Sequence, residues 1–239
     1  MSSRTLGRAR ASTWLEFWNG AQRLYVNDRH REVHYRDTAA QIVALIPGGH
    51  ARVLDYGPGD ALFADRIAAA AAHVFLCEAA DGIRRELANR FAGNERVTVI
   101  GAAGLAEVAS GSIDLMVVNS VVQYLSGAEF DKLLAEARRV LAPGGRLLIG
   151  DVVPKRTSLT SEIVAMLRFG AREHFLAATL LSLVATAFSP YSRIRLRLGL
   201  SRYDEADMLA LLRSAGFAGR RHYPNLSHNP TRLTFLATA

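Results

Sequence analysis

From Asp28 to Ile46 the apolar residues Val33, Ala40, Val43 and Ala44 recur at helical spacing, with Asp28 placed as N-cap and Pro47-Gly48-Gly49 as the stop. The pattern then changes. Arg52 to Tyr56 (RVLDY) reads as a short strand running straight into Gly57-Pro58-Gly59, and Asp60 is placed to cap an alanine-rich helix through about Ala72. His73 to Glu78 predicts a strand, Asp81 to Phe91 a helix, Arg96 to Ile100 a strand, and Ile113 to Asn119 a buried, nearly continuous apolar strand. An amphipathic helix follows over Gly127–Leu141, ended by Ala142-Pro143-Gly144-Gly145, and Arg146 to Asp151 is the next strand. Strands alternating with helices across short glycine turns predict an α/β fold, a doubly wound parallel sheet covered on both faces.

After Pro154 this alternation stops. A helical, apolar and arginine-rich stretch runs to about Leu200, followed by a capped helix from Asp204 to Ser214 and strands near His222 and from Arg232 to Ala237. No internal repeat or low-complexity linker divides the chain, so residues 28–239 read as one domain with a helical cap at about 155–200. Residues 1–27 read as a tail and leading segment. Its opening, MSSRTLGRARASTW, lacks the apolar core of roughly 7–15 residues that a secretory signal needs; it shares an Arg- and Ser-rich composition with organellar transit peptides but reads as a short solvated tail. The longest apolar run, Phe175 to Phe188, is shorter than the ~18–20 residues of a spanning helix. The expectation is a cytoplasmic protein that is soluble or peripheral at a membrane.

Composition narrows the picture only at its edges. The 239 residues are 50% hydrophobic, which excludes disorder as the main state, and the single cysteine, Cys77, excludes a disulfide scaffold or a cysteine-rich zinc site. The net charge of +7 comes almost wholly from arginine, Lys132 and Lys155 being the only lysines. Such a balance admits nucleic acid, an anionic membrane or an anionic small molecule and selects none of them.

The informative residues sit at strand ends. In a doubly wound sheet, ligands bind beyond the carboxyl ends of the strands at the switch point. Three of those ends carry Asp55-Tyr56-Gly57-Pro58-Gly59-Asp60, Glu78, and Asn119-Ser120. Gly57 and Gly59 permit a sharp turn and close approach of a ligand to backbone. Glu78, 23 positions after Asp55, is placed to accept both ribose hydroxyls of a nucleoside. A dinucleotide would set its pyrophosphate on the helix N-terminus and want a third glycine, where this chain has Leu62. The carboxylates of Asp55 and Asp60 also oppose a pyrophosphate. They suit S-adenosylmethionine, which carries an ammonium, a sulfonium and no phosphate.

These residues resemble the class I S-adenosylmethionine-dependent methyltransferases over roughly residues 28–151. VLDYGPGDALFADRIA is similar to the family's glycine motif, HVFLCEAA to its ribose-binding strand end, and GSIDLMVVNSVVQYL followed by EARRVLAPGGRLLIGDVV to its fourth and fifth strands with the helix between. The resemblance implies a Rossmann-like, seven-stranded, mostly parallel sheet whose last strand runs antiparallel, with S-adenosylmethionine as cofactor. It also implies that Asp55, Gly57 and Gly59 line the methionine end and that Glu78 meets the ribose. Tyr56, Ala79, Ala103 and Asn119 complete the expected cofactor set. Two positions depart from the family: Ala61 where glycine is frequent, and Gly101-Ala102-Ala103-Gly104 where an acid often meets the adenine, so that adenine contact falls to backbone near Ala102 and Ala103.

A sulfonium methyl is already electrophilic, so the protein's main task is to align the acceptor; a base is needed only if the acceptor must lose a proton. Tyr25, His30, His34, Tyr35, His174, His222 and His228 are available, and none is singled out as catalytic. HREVH at 30–34 is not the HExxH arrangement, and no metal is expected. Asn119-Ser120-Val121-Val122 lacks the Pro-Pro-aromatic continuation seen where planar amino groups are methylated. The acceptor is expected to be a small molecule, with a lipophilic one among the readings, and nucleic acid is disfavoured because no RNA-binding motif is appended. Residues 160–200 read either as a lid packed on the main sheet or as an apolar pocket wall and membrane-surface element with Arg193, Arg195 and Arg197 at headgroup level. An RNA methyltransferase and a non-catalytic nucleoside-binding module are the alternatives.

Overall fold

The computed structural model describes residues 14–19, 25–187 and 190–239. The strands are β1 (Arg52–Tyr56), β2 (His73–Cys77), β3 (Val97–Ile100), β4 (Ile113–Asn119), β5 (Leu141–Val152), β6 (Ala218–Arg221) and β7 (Leu233–Thr238). They form one sheet in the order β3-β2-β1-β4-β5-β7-β6. The first five pair in parallel, while β7 runs antiparallel to both β5 and β6. The chain winds outward from β1 to β3 and then returns to place β4 on the other side of β1. Their carboxyl ends therefore border the crevice where an open α/β sheet takes its ligand.

Helices α1 (Asp28–Leu45), α2 (Ala64–Ala70) and α3 (Asp81–Phe91) bury Ile42, Ile67 and Leu87 against one face of the sheet. Helices α4 (Gly127–Val140) and α8 (Glu205–Ser214) bury Phe130, Leu134, Met208 and Leu212 against the other. The period-two alternation of β4 supplies both: Leu115 and Val117 face the first cluster, Met116 and Val118 the second. With both faces covered, the strand reads as a continuous apolar run. A complete capping box at Ser126 and Glu129 starts α4, and the backbone N–H of Asp204 donates to the Asp207 carboxylate at 2.8 Å at the start of α8.

Helices α5 (Leu159–Arg172), α6 (Leu176–Ala187) and α7 (Pro190–Leu198) occupy the stretch after β5. Phe169 and Phe175 of this unit pack with Val33 of α1 in a cluster separate from the two on the sheet faces. The expectation of a lid packed on the main sheet is thus replaced by a unit resting on the first helix.

Several local expectations shift. Asn27, not Asp28, caps α1, its side chain accepting the N–H of His30 at 2.8 Å. Helix α2 starts at Ala64, not after Asp60, because residues 57–63 are taken up by the loop that shapes the site. Strand β5 begins at Leu141, five residues before Arg146, since buried Leu141 pairs with Ile113 and the Pro143-Gly144-Gly145 signal becomes an irregularity within the strand. Residues 1–13 and 20–24 of the expected tail lie outside the described residues, but 14–19 are helical, with Trp14 and Phe17 buried.

Candidate active site

The turn after β1 is built by two residues in left-handed backbone. Gly57 has φ +72° and donates its N–H to the carbonyl of Cys77 at 2.8 Å, tying the turn to β2. A Cβ there would lie 2.5 Å from Val121 Cγ2. Gly59 has φ +58°, and its missing Cβ leaves room for the hydroxyl of Tyr35, which a Cβ would approach to 2.6 Å. Only glycine meets both demands, the backbone sign and the space.

Side chains from α1 and α3 fix this loop. The Tyr35 hydroxyl accepts the N–H of Asp60 at 2.8 Å and is hydrogen-bonded to Tyr25. Arg31 of α1 pairs with the Asp60 carboxylate at 2.6 Å, and Arg90 of α3 donates to the carbonyls of Asp60 and Ala61. Glu78 closes the arrangement from the end of β2: one carboxylate oxygen accepts the N–H of Gly59 at 3.2 Å, the other that of Ala80 at 2.8 Å. Asp60 is thus paired with Arg31, and the carboxyl groups that line the crevice are those of Asp55, Glu78 and Glu129.

Both carboxylates are nearly buried. Burial first, and the neighbouring Glu78 second, push Asp55 up to about 7. Burial also raises Glu78, opposed by the backbone N–H groups of Ala80, Gly59 and Ala79 that favour its charged form. The Asp55 carboxylate has no hydrogen-bond partner among the described residues, and the buried Asn119 Oδ1 has none either. An acidic group without a partner, lining a crevice, suits a cationic ligand bearing N–H donors.

A cavity of about 440 Å³ lies over the carboxyl ends of β1, β2 and β4. Asp55, Tyr56, Gly57 and Gly59 line it from β1 and its turn; Glu78 and Ala79 line it from β2, and Asn119 from β4. Ala103 is not among the lining residues. The chain after β3 turns into a 3-10 helix over Ala102–Glu107 that leaves Ala103 exposed and brings Ala102 to the cavity instead.

Sequence reasoning missed the roof. Trp14, Leu15 and Trp18 line the cavity from the short helix at 14–19. The ring centroid of Trp14 lies 4.7 Å from that of Tyr124, and Asn19 Oδ1 accepts the N–H of Gly82 at 3.3 Å. The signal was available: Trp14, Phe17 and Trp18 stand at helical spacing within a segment read as tail. Helix α1 adds His34, Tyr35, Thr38 and Ile42.

At the ends of β4 and β5 two non-glycine residues adopt left-handed backbone. Ser120 has φ +59° and Asp151 φ +55°, and the Ser120 hydroxyl donates to the Asp151 carboxylate at 2.9 Å. Two non-glycine residues in this conformation, held together by one hydrogen bond, are the kind of stored strain that marks a functional rim. Of the titratable groups noted in the sequence, Tyr25, His34 and Tyr35 reach the cavity. His30 instead stacks on Phe175 at 5.2 Å, its Nδ1 accepting the N–H of Val26; burial takes it down to about 3. His228 stacks on Phe169 and lines a smaller, polar cavity of about 130 Å³ that His34 also borders. His174 is exposed, and His222 lies just beyond β6. Among the described residues no group of three or more His, Cys, Asp or Glu side chains is placed to hold a metal ion.

The turn and strands that build this crevice fall within residues 54–149, which match the methyltransferase domain family. Over that range the chain is similar to methyltransferase domains. The chain is 28% identical over 182 residues, 75% of its length and 70% of its relative's, to demethylmenaquinone methyltransferase of Clavibacter sepedonicus. Its fold is shared with an S-adenosylmethionine-dependent methyltransferase of Leishmania major (TM-score 0.59, 15% identity, 96% of this chain and 82% of that one). It is also shared with phosphoethanolamine N-methyltransferase 1 of Haemonchus contortus (TM-score 0.53, 20% identity, 64% of this chain), of which it spans only 34%. The methyltransferase domain thus owns the glycine turn, Glu78 and the β4 end, while Trp14, Trp18 and α1, which roof the crevice, lie outside the matched range.

Proposed function

We propose that this methyltransferase transfers the methyl group of S-adenosylmethionine to a small, largely apolar acceptor bound between the β4 rim and α1. The observation that carries this reading is the composition of one continuous cavity: two buried carboxylates and the glycine turn at one end, and Trp14, Trp18, Tyr124, Val121 and Leu125 above them.

The cofactor supplies an electrophilic methyl on a positively charged sulfur. Asp55, which lacks a partner of its own, offers its carboxylate to the cofactor's ammonium. Glu78 keeps lone pairs for the ribose hydroxyls while its bonds to Gly59 and Ala80 hold the carboxylate in place. Ala79, Ile83 and Ala102 form an apolar slot for the adenine. The rest is alignment: the cofactor, when bound, would supply a methyl to an acceptor lone pair held in line with the sulfur–carbon bond, whose electron pair would stay with sulfur. Holding the two in line supplies about 7–11 kcal/mol of the barrier. Where the acceptor is a hydroxyl, the His34 imidazole takes its proton. Burial lowers His34 below the usual imidazole range, so that it is neutral near pH 7 and free to accept.

The Clavibacter relative, named for demethylmenaquinone, supports an apolar small-molecule acceptor. The test is calorimetry with S-adenosylmethionine, S-adenosylhomocysteine and NAD, followed by labelled methyl transfer to fractionated cell extract with the lipid fraction assayed separately. Binding of the first two without NAD, and label in an organic-soluble small molecule, is the expected result. Label confined to RNA or protein overturns the acceptor assignment, and NAD binding overturns the cofactor assignment.

A further inference from the structure

Charge along the chain is very uneven. Residues 155–200 hold seven of the 29 basic residues and two of the 22 acidic ones, so this stretch carries +5 of the chain's net +7. Both acids are turned inward. Glu162 pairs with Arg195 and Arg232 at 2.6 and 2.8 Å, and Glu173 lies near Arg29, Arg36 and Arg172. What remains outside is positive. Arg156, Arg168 and Arg197 are exposed, with no acid at ion-pair distance among the described residues.

The same surface is apolar to an extent that a soluble face is not. Leu159, Leu180, Leu181 and Leu196 are 67, 53, 76 and 86% exposed, and Val164 and Leu176 are exposed as well. Val164 and Arg168 lie four residues apart on α5, and Arg193 and Leu196 three apart on α7, so a cation neighbours an aliphatic side chain on both helices. Helix α6 carries no charged residue. At 12 residues it is about 18 Å long, far short of the ~30 Å hydrocarbon core, and no described helix is long and apolar enough to cross a membrane.

We propose that the outer face of α5–α7 rests on an anionic phospholipid surface, its leucines entering the headgroup–acyl boundary and its arginines meeting the lipid phosphates. Charge decides the occupant. A second copy of this face would bring +5 against +5, and a nucleic acid would leave the exposed leucines in water. The surface stands apart from the acceptor assignment, since none of these residues lines the main cavity.

The test is co-sedimentation of the full chain with vesicles of phosphatidylcholine alone or with 30% phosphatidylglycerol, at about 0.1 and 0.5 M salt. Binding to the anionic vesicles is expected, lost at high salt, with roughly fivefold weaker partitioning for each of Arg168→Gln and Arg197→Gln. The pair Leu180→Ser and Leu181→Ser weakens partitioning by tenfold or more while leaving S-adenosylhomocysteine affinity unchanged, which shows that the variant is folded. Equal binding to both vesicle types, no binding to either, or binding that the leucine pair does not alter overturns the proposal. Concentration-dependent self-association abolished by the leucine pair, without vesicle binding, assigns the face to a second copy instead and equally overturns it.

Discussion

The carboxylate of Glu78 accepts the backbone N–H of Gly59 at 3.2 Å, so the residue expected to hold the ribose also holds the glycine turn. One side chain thereby couples the ends of β1 and β2. Glu78→Ala removes the acceptor of two N–H groups as well as the ribose contact. We expect at least tenfold weaker S-adenosylhomocysteine binding by calorimetry and a stability loss of about 1–3 kcal/mol in urea unfolding. Glu78→Gln retains one acceptor oxygen and should fall between. Unchanged affinity in both would remove Glu78 from the cofactor site.

Asp55 gives the site a pH signature. Its free-site pKa of about 7 must fall when a cation binds beside it, so cofactor binding releases a proton wherever the free carboxyl is still protonated. Affinity should rise as pH increases from about 5.5 to 7 and level off above, with proton release visible as a buffer-dependent binding enthalpy. Because Glu78 raises Asp55, Glu78→Gln should move that plateau to lower pH.

The same group bears on stability with a definite sign. Its folded pKa lies above the unfolded value, so ionising it disfavours the folded state: stability is greatest below about pH 4 as far as this group is concerned and is lost as pH rises toward 7. Asp55→Asn, which cannot ionise, should therefore be more stable than the parent in the absence of cofactor. The gain, on the order of 2–4 kcal/mol, should grow from pH 4 to 7 and stay constant above, while cofactor affinity falls. A variant less stable at pH 8 would show that Asp55 is not the strained charge.

Gly59 and Tyr35 form a testable pair. Gly59→Ala puts a Cβ 2.6 Å from the Tyr35 hydroxyl in left-handed backbone and should cost about 1–3 kcal/mol. Tyr35→Phe removes the colliding oxygen but orphans the Asp60 N–H. The double variant should then be more stable than the sum of the singles predicts, a coupling measurable by a thermal-unfolding cycle.

Both tryptophans of the chain, Trp14 and Trp18, line the cavity. Intrinsic emission therefore reports the site directly. Titration with S-adenosylhomocysteine should shift or quench it in the parent and in the single Trp→Phe variants, with the dissociation constant matching calorimetry. An emission spectrum unmoved at saturation would place residues 14–19 away from the bound cofactor.

Much of this site was legible in the sequence because it is local. Asp55-Tyr56-Gly57-Pro58-Gly59 and HVFLCE each declare a strand, its end and the turn beyond it within a few residues, and the period of the pattern orders them in the sheet. What escaped depends on distant partners. Arg31 pairs with Asp60, and Tyr35 fills the space left by Gly59, through contacts made only once α1 lies across the loop. Of Ala102 and Ala103, both expected near the adenine, only Ala102 lines the cavity, because a 3-10 turn rotates each residue by a third of a circle. The helical spacing of Trp14, Phe17 and Trp18 declared a helix, but their place over the crevice rests on contacts such as that of Trp14 with Tyr124, far along the chain.

Phe169 and Phe175 bind the α5–α7 unit to Val33, on the same α1 whose His34, Tyr35 and Ile42 look into the crevice. One rigid rod is thus shared by the outermost layer of the molecule and its innermost chamber. A push on the former arrives at the latter without passing through the sheet, which is free to stay as it is while the outer layer diverges.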